Sequence, residues 1–191
     1  MIRAAGDLQT DIARVTSTKP AIVQNEDALP PNVVLIGTLG KSRLIDGLIR
    51  SGKLDARRIA GKWESFMIQV VRRPLPGVTR ALLIAGSDKR GTIFGIYDLC
   101  EQIGVSPLHW WADVPVPHKR SLHIKAGTYV QGPPSVKYRG IFINDESPDL
   151  SGWVAEKYGT VPVQSDPPVP PNVANYNSKF YSRVFEAILR M

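Results

Sequence analysis

The sequence predicts an α/β fold, and three observations carry that prediction. Short all-apolar runs stand at Val33–Ile36 and Ala81–Ala85, each is followed by a glycine turn, and each turn leads into apolar residues at helical spacing. Strand, glycine turn and helix repeated in this order imply a sheet covered by helices on both faces.

Ile2, Ala5, Leu8, Ile12 and Val15 recur at three- and four-residue steps, so an amphipathic helix opens the chain with its charges on the opposite side. After the first apolar run come Gly37-Thr38-Leu39-Gly40 and a helical segment from Ser42 to Arg50, stopped by Gly52. Phe66, Ile68 and Val70 alternate with their neighbours as a strand does. The second unit runs from Ala81 through Gly86–Gly91 into a helix marked by Ile93, Ile96, Leu99 and Ile103, stopped by Gly104.

Irregular chain is expected from Val105 to Arg120, and a strand-like stretch from Leu122 to Val130 leads to Gly132-Pro133-Pro134, where we place a domain boundary. Residues 1–132 form the first, α/β sandwich-like domain and residues 133–191 begin a second. In the latter, Lys137–Asn144 reads as a strand ending at Asp145-Glu146, and a short helix surrounds Trp153. The prolines between 160 and 175 exclude helix and central strand there and predict a surface loop. Phe180, Val184, Phe185, Ile188 and Leu189 then mark a last helix.

The 191 residues carry a formal charge of +7, concentrated at residues 41–90, where 12 Lys/Arg face 4 Asp/Glu. Without aromatic interleaving or a nucleic-acid motif, this stretch reads as a solvated face, and no nucleic-acid partner is expected. No run of about 18 apolar residues is present, so no membrane partner is expected either. Arg3, Asp7, Asp11 and Arg14 interrupt the opening segment, which is therefore not a signal peptide; either the protein is intracellular or a leader lies outside this sequence. Cys100 is the single cysteine and is expected to be a buried, inert thiol.

Two glycine turns approach a phosphate loop. GTLGKS at 37–42 lacks the glycine five residues before its Gly-Lys-Ser, Leu35 standing there, and Gly86–Thr92 puts Thr92 where the lysine belongs. Glycines at strand-to-helix turns more commonly serve close packing. Lys89 and Arg90, at a helix N-terminus, are candidates for holding an acidic sugar or other anion. Trp110 and Trp111 could stack a sugar ring, although packing of their loop onto the core is the commoner role. Asp145 and Glu146 stand where a strand ends, a place that collects catalytic groups. Being adjacent they point to opposite faces, so at most one enters a site, and a cap or solvated turn is the competing reading. His109, His118 and His123 lack metal-ligand spacing, and neither a metal nor another cofactor is expected.

Longer strings carry a family resemblance: GTLGKSRLIDGLIRSGKLD at 37–55, GKWESFMIQVV at 61–71, IAGSDKRGTIFGIYDLCEQIGVSP at 84–107, WWADVP at 110–115 and PPSVKYRGIFINDESPDLSGW at 133–153. In order and spacing they resemble family 115 glycoside hydrolases. The resemblance implies an α-glucuronidase that removes glucuronic acid or its 4-O-methyl ether from xylan side chains with inversion, with glucuronoxylan or a related acidic polysaccharide as partner, and a secreted protein. It further implies that residues 137–146 form strand 1 of a TIM barrel, with Asp145 facing the sugar, and that Phe180–Met191 is the first barrel helix. On that reading Asp145 and Glu146 are the catalytic candidates, and Asn144, Lys89, Arg90, Trp110 and Trp111 the substrate-binding ones. Residues 137–191 give 55 positions, against about 250 for eight strand–helix units. The expectation is therefore the first unit of an incomplete barrel, inactive alone. The alternative is a non-catalytic module that holds an acidic sugar through its basic stretch. An apolar strand 137–144 without a neighbour is expected to make the chain prone to form homo-oligomers.

Overall fold

The computed structural model describes residues 1–24, 29–145, 149–162 and 172–191. Two compact units emerge, Met1–Lys137 and Tyr138–Met191.

The first unit holds α1 (Ile2–Thr16), β1 (Asn32–Thr38), α2 (Arg43–Arg50), β2 (Phe66–Arg72), β3 (Arg80–Gly86), α3 (Lys89–Ile103) and β4 (Thr128–Gln131). The sheet order is β1-β3-β2-β4. β1 runs parallel to β3, with Leu35 beside Leu83, whereas β2 is antiparallel to both β3 and β4. The α/β prediction holds, and the sheet is mixed because β2 and β3 are joined by a short connection that reverses the chain. The predicted strand at Leu122–Val130 is shorter than expected: only Thr128–Gln131 pairs with β2, and 122–127 stays outside the ladder.

Alternation along the strands sorts the core into two layers. Leu35, Met67, Ala81, Leu83 and Ala85 face one way and pack with Ile45 and Leu48 of α2 and with Leu54 and Ile59 from the segment after it. Ile68, Ile84 and Phe66 face the other way, towards α3, whose Gly95 lies so close to Ile84 and Phe66 that a Cβ would stand 2.9 and 3.0 Å from them. α1 packs on α3, where the Tyr97 hydroxyl donates to the Asp7 carboxylate at 2.6 Å. Cys100 is fully buried in α3.

The buried face of α1 is turned from the one predicted. Ala4, Leu8, Asp11 and Val15 are inside, Ile2 is 75% exposed, and Ala5 and Ile12 are half-buried. Asp11, expected on the solvent side, is buried with Arg14 donating to it at 2.6 Å. Pairing of a buried carboxylate offsets part of its desolvation cost, which an apolar stripe alone does not reveal.

Both strand-to-helix turns are locked by side chains. Ser42 caps α2 by accepting from the Ile45 amide, and Asp88 caps α3 by accepting from the Gly91 amide at 2.7 Å. The Thr92 hydroxyl, fully buried, lies 2.6 Å from that of Thr38 and within 3.3 Å of the Gly37 carbonyl, tying α3 to the end of β1. Thr92→Val keeps the shape and removes these bonds, so we expect a loss of about 1–3 kcal/mol in urea unfolding. An unchanged midpoint would show that the hydroxyl pair adds no stability.

The second unit holds α4 (Asp149–Tyr158), a two-stranded ladder of β5 (Thr160–Pro162) and β6 (Asn172–Ala174), and α5 (Ser178–Arg190). Residues 160–162 and 172–174, expected to be loop, pair as an isolated antiparallel ladder, where Pro162 is tolerated because each strand has a free edge. Pro167, Pro168, Pro170 and Pro171 lie outside the described residues. α5 falls where a helix was expected, but its buried side is formed by Phe180, Val184, Glu186, Ala187 and Arg190, while Phe185 is exposed. Arg190 donates to Glu186 at 3.0 Å, and this buried pair rotates the helix away from its purely apolar stripe. Phe180 is fully buried among the rings of Tyr158, Tyr176 and Tyr181.

The predicted strand Lys137–Asn144 is not formed. No described residue ladders with it, and a β-strand exists only as a member of such a ladder. Tyr138 and Phe142 are 86% and 91% exposed. A strand–helix unit of a barrel is therefore not seen among the described residues.

Candidate functional site

The predicted site residues fall into three local groups. The first is the N-terminus of α3. Asp88 accepts from Gly91 N–H through one oxygen and from Glu64 N–H through the other, both at 2.7 Å. Ser87 and Ser65 exchange three further bonds, the Ser87 amide donating to the Ser65 carbonyl at 2.8 Å. Arg90 pairs with Glu64 at 3.0 Å and lies over the Phe94 ring, while Lys89 is exposed. An incoming anion thus competes with the Asp88 carboxylate for this helix end and with Glu64 for Arg90.

The glycines of both near-miss loops have a packing cause. A Cβ on Gly37 would stand 2.5 Å from Ile45 Cγ1, one on Gly86 2.1 Å from the Thr92 amide nitrogen, and one on Gly91 2.3 Å from the Ser65 carbonyl. Gly40 N–H donates to Asp46 at 2.9 Å. We accordingly expect ATP or GTP with magnesium, at about 100 times a micromolar dissociation constant, to leave the melting temperature unchanged; a rise of several degrees would restore the nucleotide reading.

In the second group, Trp110 and Trp111 are half-buried and meet edge to face, 4.9 Å between centroids and 88° between planes. Rings at right angles offer no common flat platform to a sugar, and this arrangement favours the packing role.

The third group lies in the second unit. Asn144 and Asp145 are exposed. Asn144 donates to the Asp149 carboxylate at 3.4 Å, and the Tyr176 hydroxyl donates to the Asp145 carbonyl at 3.3 Å. Burial, then the neighbouring Asp145 charge, raise the Tyr176 phenol above its ordinary value. Glu146 lies outside the described residues. Asp149 and Tyr176 were not anticipated: Asp149 could have been noted four residues after Asp145, but no sequence signal links Tyr176 to it across 31 positions.

Among the described residues no group of three or more His, Cys, Asp or Glu could hold a metal ion, and no helix is long and apolar enough to cross a membrane.

The model of glycosyl hydrolase family 115 matches residues 131–191, the segment with Asn144 and Asp145. A solved structure, that of a family GH115 4-O-methyl-α-glucuronidase, BtGH115A, with specificity for decorated arabinogalactans, is 30% identical and superposes with a TM-score of 0.77. Sequence and fold both relate this chain to glycoside hydrolase family 115. The likeness covers 99% of this chain, which spans 22% of the chain of that family 115 enzyme. No curated protein matches.

Proposed function

We propose that this chain supplies part of a family 115 α-glucuronidase that removes (4-O-methyl)glucuronic acid from polysaccharide side chains, with Asp145 in its sugar site. The observation that carries the reading is the likeness over 99% of the chain to a 4-O-methyl-α-glucuronidase. The family match across 131–191 supports the role of Asp145, as does its exposure beside Tyr176, whose hydroxyl donates to its backbone carbonyl.

Inverting hydrolysis uses two carboxyl groups about 6.5–9.5 Å apart, one protonating the leaving oxygen and one taking a proton from the attacking water. In this reading Asp145 is one member, and Asn144 binds sugar hydroxyls beside it. Glu146 is a further candidate for the same chemistry. In this reading the partner carboxylate and most of the uronate contacts come from the part of such an enzyme that this chain, spanning 22% of the related structure, does not cover.

Two assays test the reading. This chain alone, incubated with glucuronoxylan or a glucuronidated arabinogalactan, is expected to release no uronic acid; robust release would overturn the partial-site reading. Exchanged for the matching segment of the 4-O-methyl-α-glucuronidase, it is expected to sustain release, with Asp145→Asn lowering kcat about 100-fold or more. A folded chimera in which Asp145→Asn is as active as its parent would remove Asp145 from the mechanism. The pairing of Arg90 with Glu64 gives no support to a module that binds anions at Lys89 and Arg90.

A further inference from the structure

A cavity of about 620 Å³ opens in the first unit, lined by none of the candidate site residues. α3 stops at Gly104, in a left-handed conformation with φ of 116°, and its last residues Gln102 and Ile103 line one side of the cavity. Ile68 and Val70 of β2 and Leu82 of β3 form its apolar floor, and the exposed segment 121–127, running into β4, forms one wall. The volume lies within the range of sites that enclose a small organic molecule.

The charged groups among the described lining residues are Lys119 and Lys125. Lys119, Lys125 and His123 line the cavity, and no Asp or Glu does. Lys119 is held by the α3 C-terminus, donating to the Ile103 carbonyl at 2.7 Å, and His123 meets the Ser121 hydroxyl at 2.8 Å. Lys125 makes no ion pair among the described residues. Gln102 and Tyr129 add hydrogen-bonding groups, both tied to Asp98, and Tyr129 also donates to Gln131 at 2.6 Å. The Tyr129 ring rests near Phe66 yet remains 44% exposed. Positive charge above a low-dielectric floor concentrates anions.

We propose that this cavity binds an anionic sugar, a hexuronate unit of a polysaccharide, as an accessory site. An inorganic anion would leave the aliphatic floor and the Tyr129 ring unused, and a fatty acid would leave unused the acceptor capacity that the Gln102 side-chain oxygen and the Tyr129 hydroxyl keep beside their bonds to Asp98 and Gln131. A pyranose ring carrying a carboxylate uses all of them, the carboxylate towards Lys125 and the ring over Ile68, Val70 and Leu82. The wide opening makes the site weak, in the millimolar range, as suits one contact among several on a long polymer. The choice of a uronate rests on the family 115 reading; the preference for an anion rests on the cavity.

Amide NMR on the full chain, titrated with glucuronate, glucose and inorganic phosphate, tests this. Glucuronate is expected to shift the amides of Gln102 and residues 121–129 with a dissociation constant below about 50 mM, weakening severalfold between about 20 and 200 mM salt. Glucose is expected to bind about 10-fold more weakly, and Lys125→Glu to weaken glucuronate by about 10-fold or more while leaving the β3 amides in place. Silence towards glucuronate, an equal response to glucose, a response to phosphate alone, or an unchanged titration with Lys125→Glu each overturns the proposal. Inactivity of the chimera would not alter this titration, so the two readings fail separately.

Discussion

Gly91→Ala is expected to destabilise the first unit by about 2–3 kcal/mol, although alanine is the better helix former. In an exposed helix the exchange gains roughly 1 kcal/mol. At Gly91 the new Cβ would stand 2.3 Å from the Ser65 carbonyl oxygen, a backbone atom that already accepts from the Ser87 amide and hydroxyl. Neither partner can rotate aside, so α3 must lift from the segment before β2, and overpacking of this kind costs typically about 1–3 kcal/mol and occasionally more. The same lift strains the two bonds of Asp88, which hold that segment and the α3 cap together. The expected fall in melting temperature is about 10 °C for a unit of this size. Gly6→Ala supplies the opposite sign, since no atom lies within 4 Å of a Cβ there, and the α1 helix is expected to gain about 0.5–1 kcal/mol. Thermal and urea unfolding of both variants decides the matter: equal and favourable effects would mean that the contact at Ser65 is slack.

This contrast marks what the sequence could and could not disclose. The glycine turns, the apolar runs and the helix stop at Gly104 are local signals, and β1, β3, α2 and α3 follow from them. That the string GSDKRGT is a structural clasp was not legible, because its partners Glu64 and Ser65 lie more than twenty residues earlier. Reading Lys89 and Arg90 as anion ligands was reasonable for a helix N-terminus, yet it omitted Glu64, which no spacing rule connects to Arg90. In α1 the apolar residues suggested one face and the buried Asp11–Arg14 pair selected another. The strand at 137–144 was misread for a different reason. Its apolar pattern describes a capacity to be buried between neighbours, and strand structure also needs a ladder partner, which is not a property of the segment itself. The candidate site inherits this limit: Asp145 is located by motif, whereas Asp149 meets Asn144 and Tyr176 meets Asp145 only through the folding of the second unit.

Association of the chain with itself is expected to be governed by the same segment. Tyr138, Ile141 and Phe142 are 86%, 52% and 91% exposed within five residues, and among the described residues no strand ladders with this segment. An exposed apolar segment in extended chain can pair with its copy on another chain, which buries its side chains in the contact. Burying a large apolar side chain fully is worth about 1.5–3 kcal/mol, so Ile141, of which only 52% is exposed, and Phe142 together contribute about 2–4 kcal/mol to such a contact. Ile141→Ser with Phe142→Ser is therefore expected to weaken self-association by about 100-fold, one decade per 1.4 kcal/mol. A chain shortened to the first unit, ending at Lys137, should be monomeric and keep its melting temperature, because among the described residues no strand of its sheet lies beyond Gln131. Sedimentation and light scattering over a concentration series, with hydrogen exchange at 138–142, measure this. A monomeric full chain whose 138–142 amides are as protected as those of β3 would mean that the segment is already covered within its own molecule, and the exposed-strand account would be wrong.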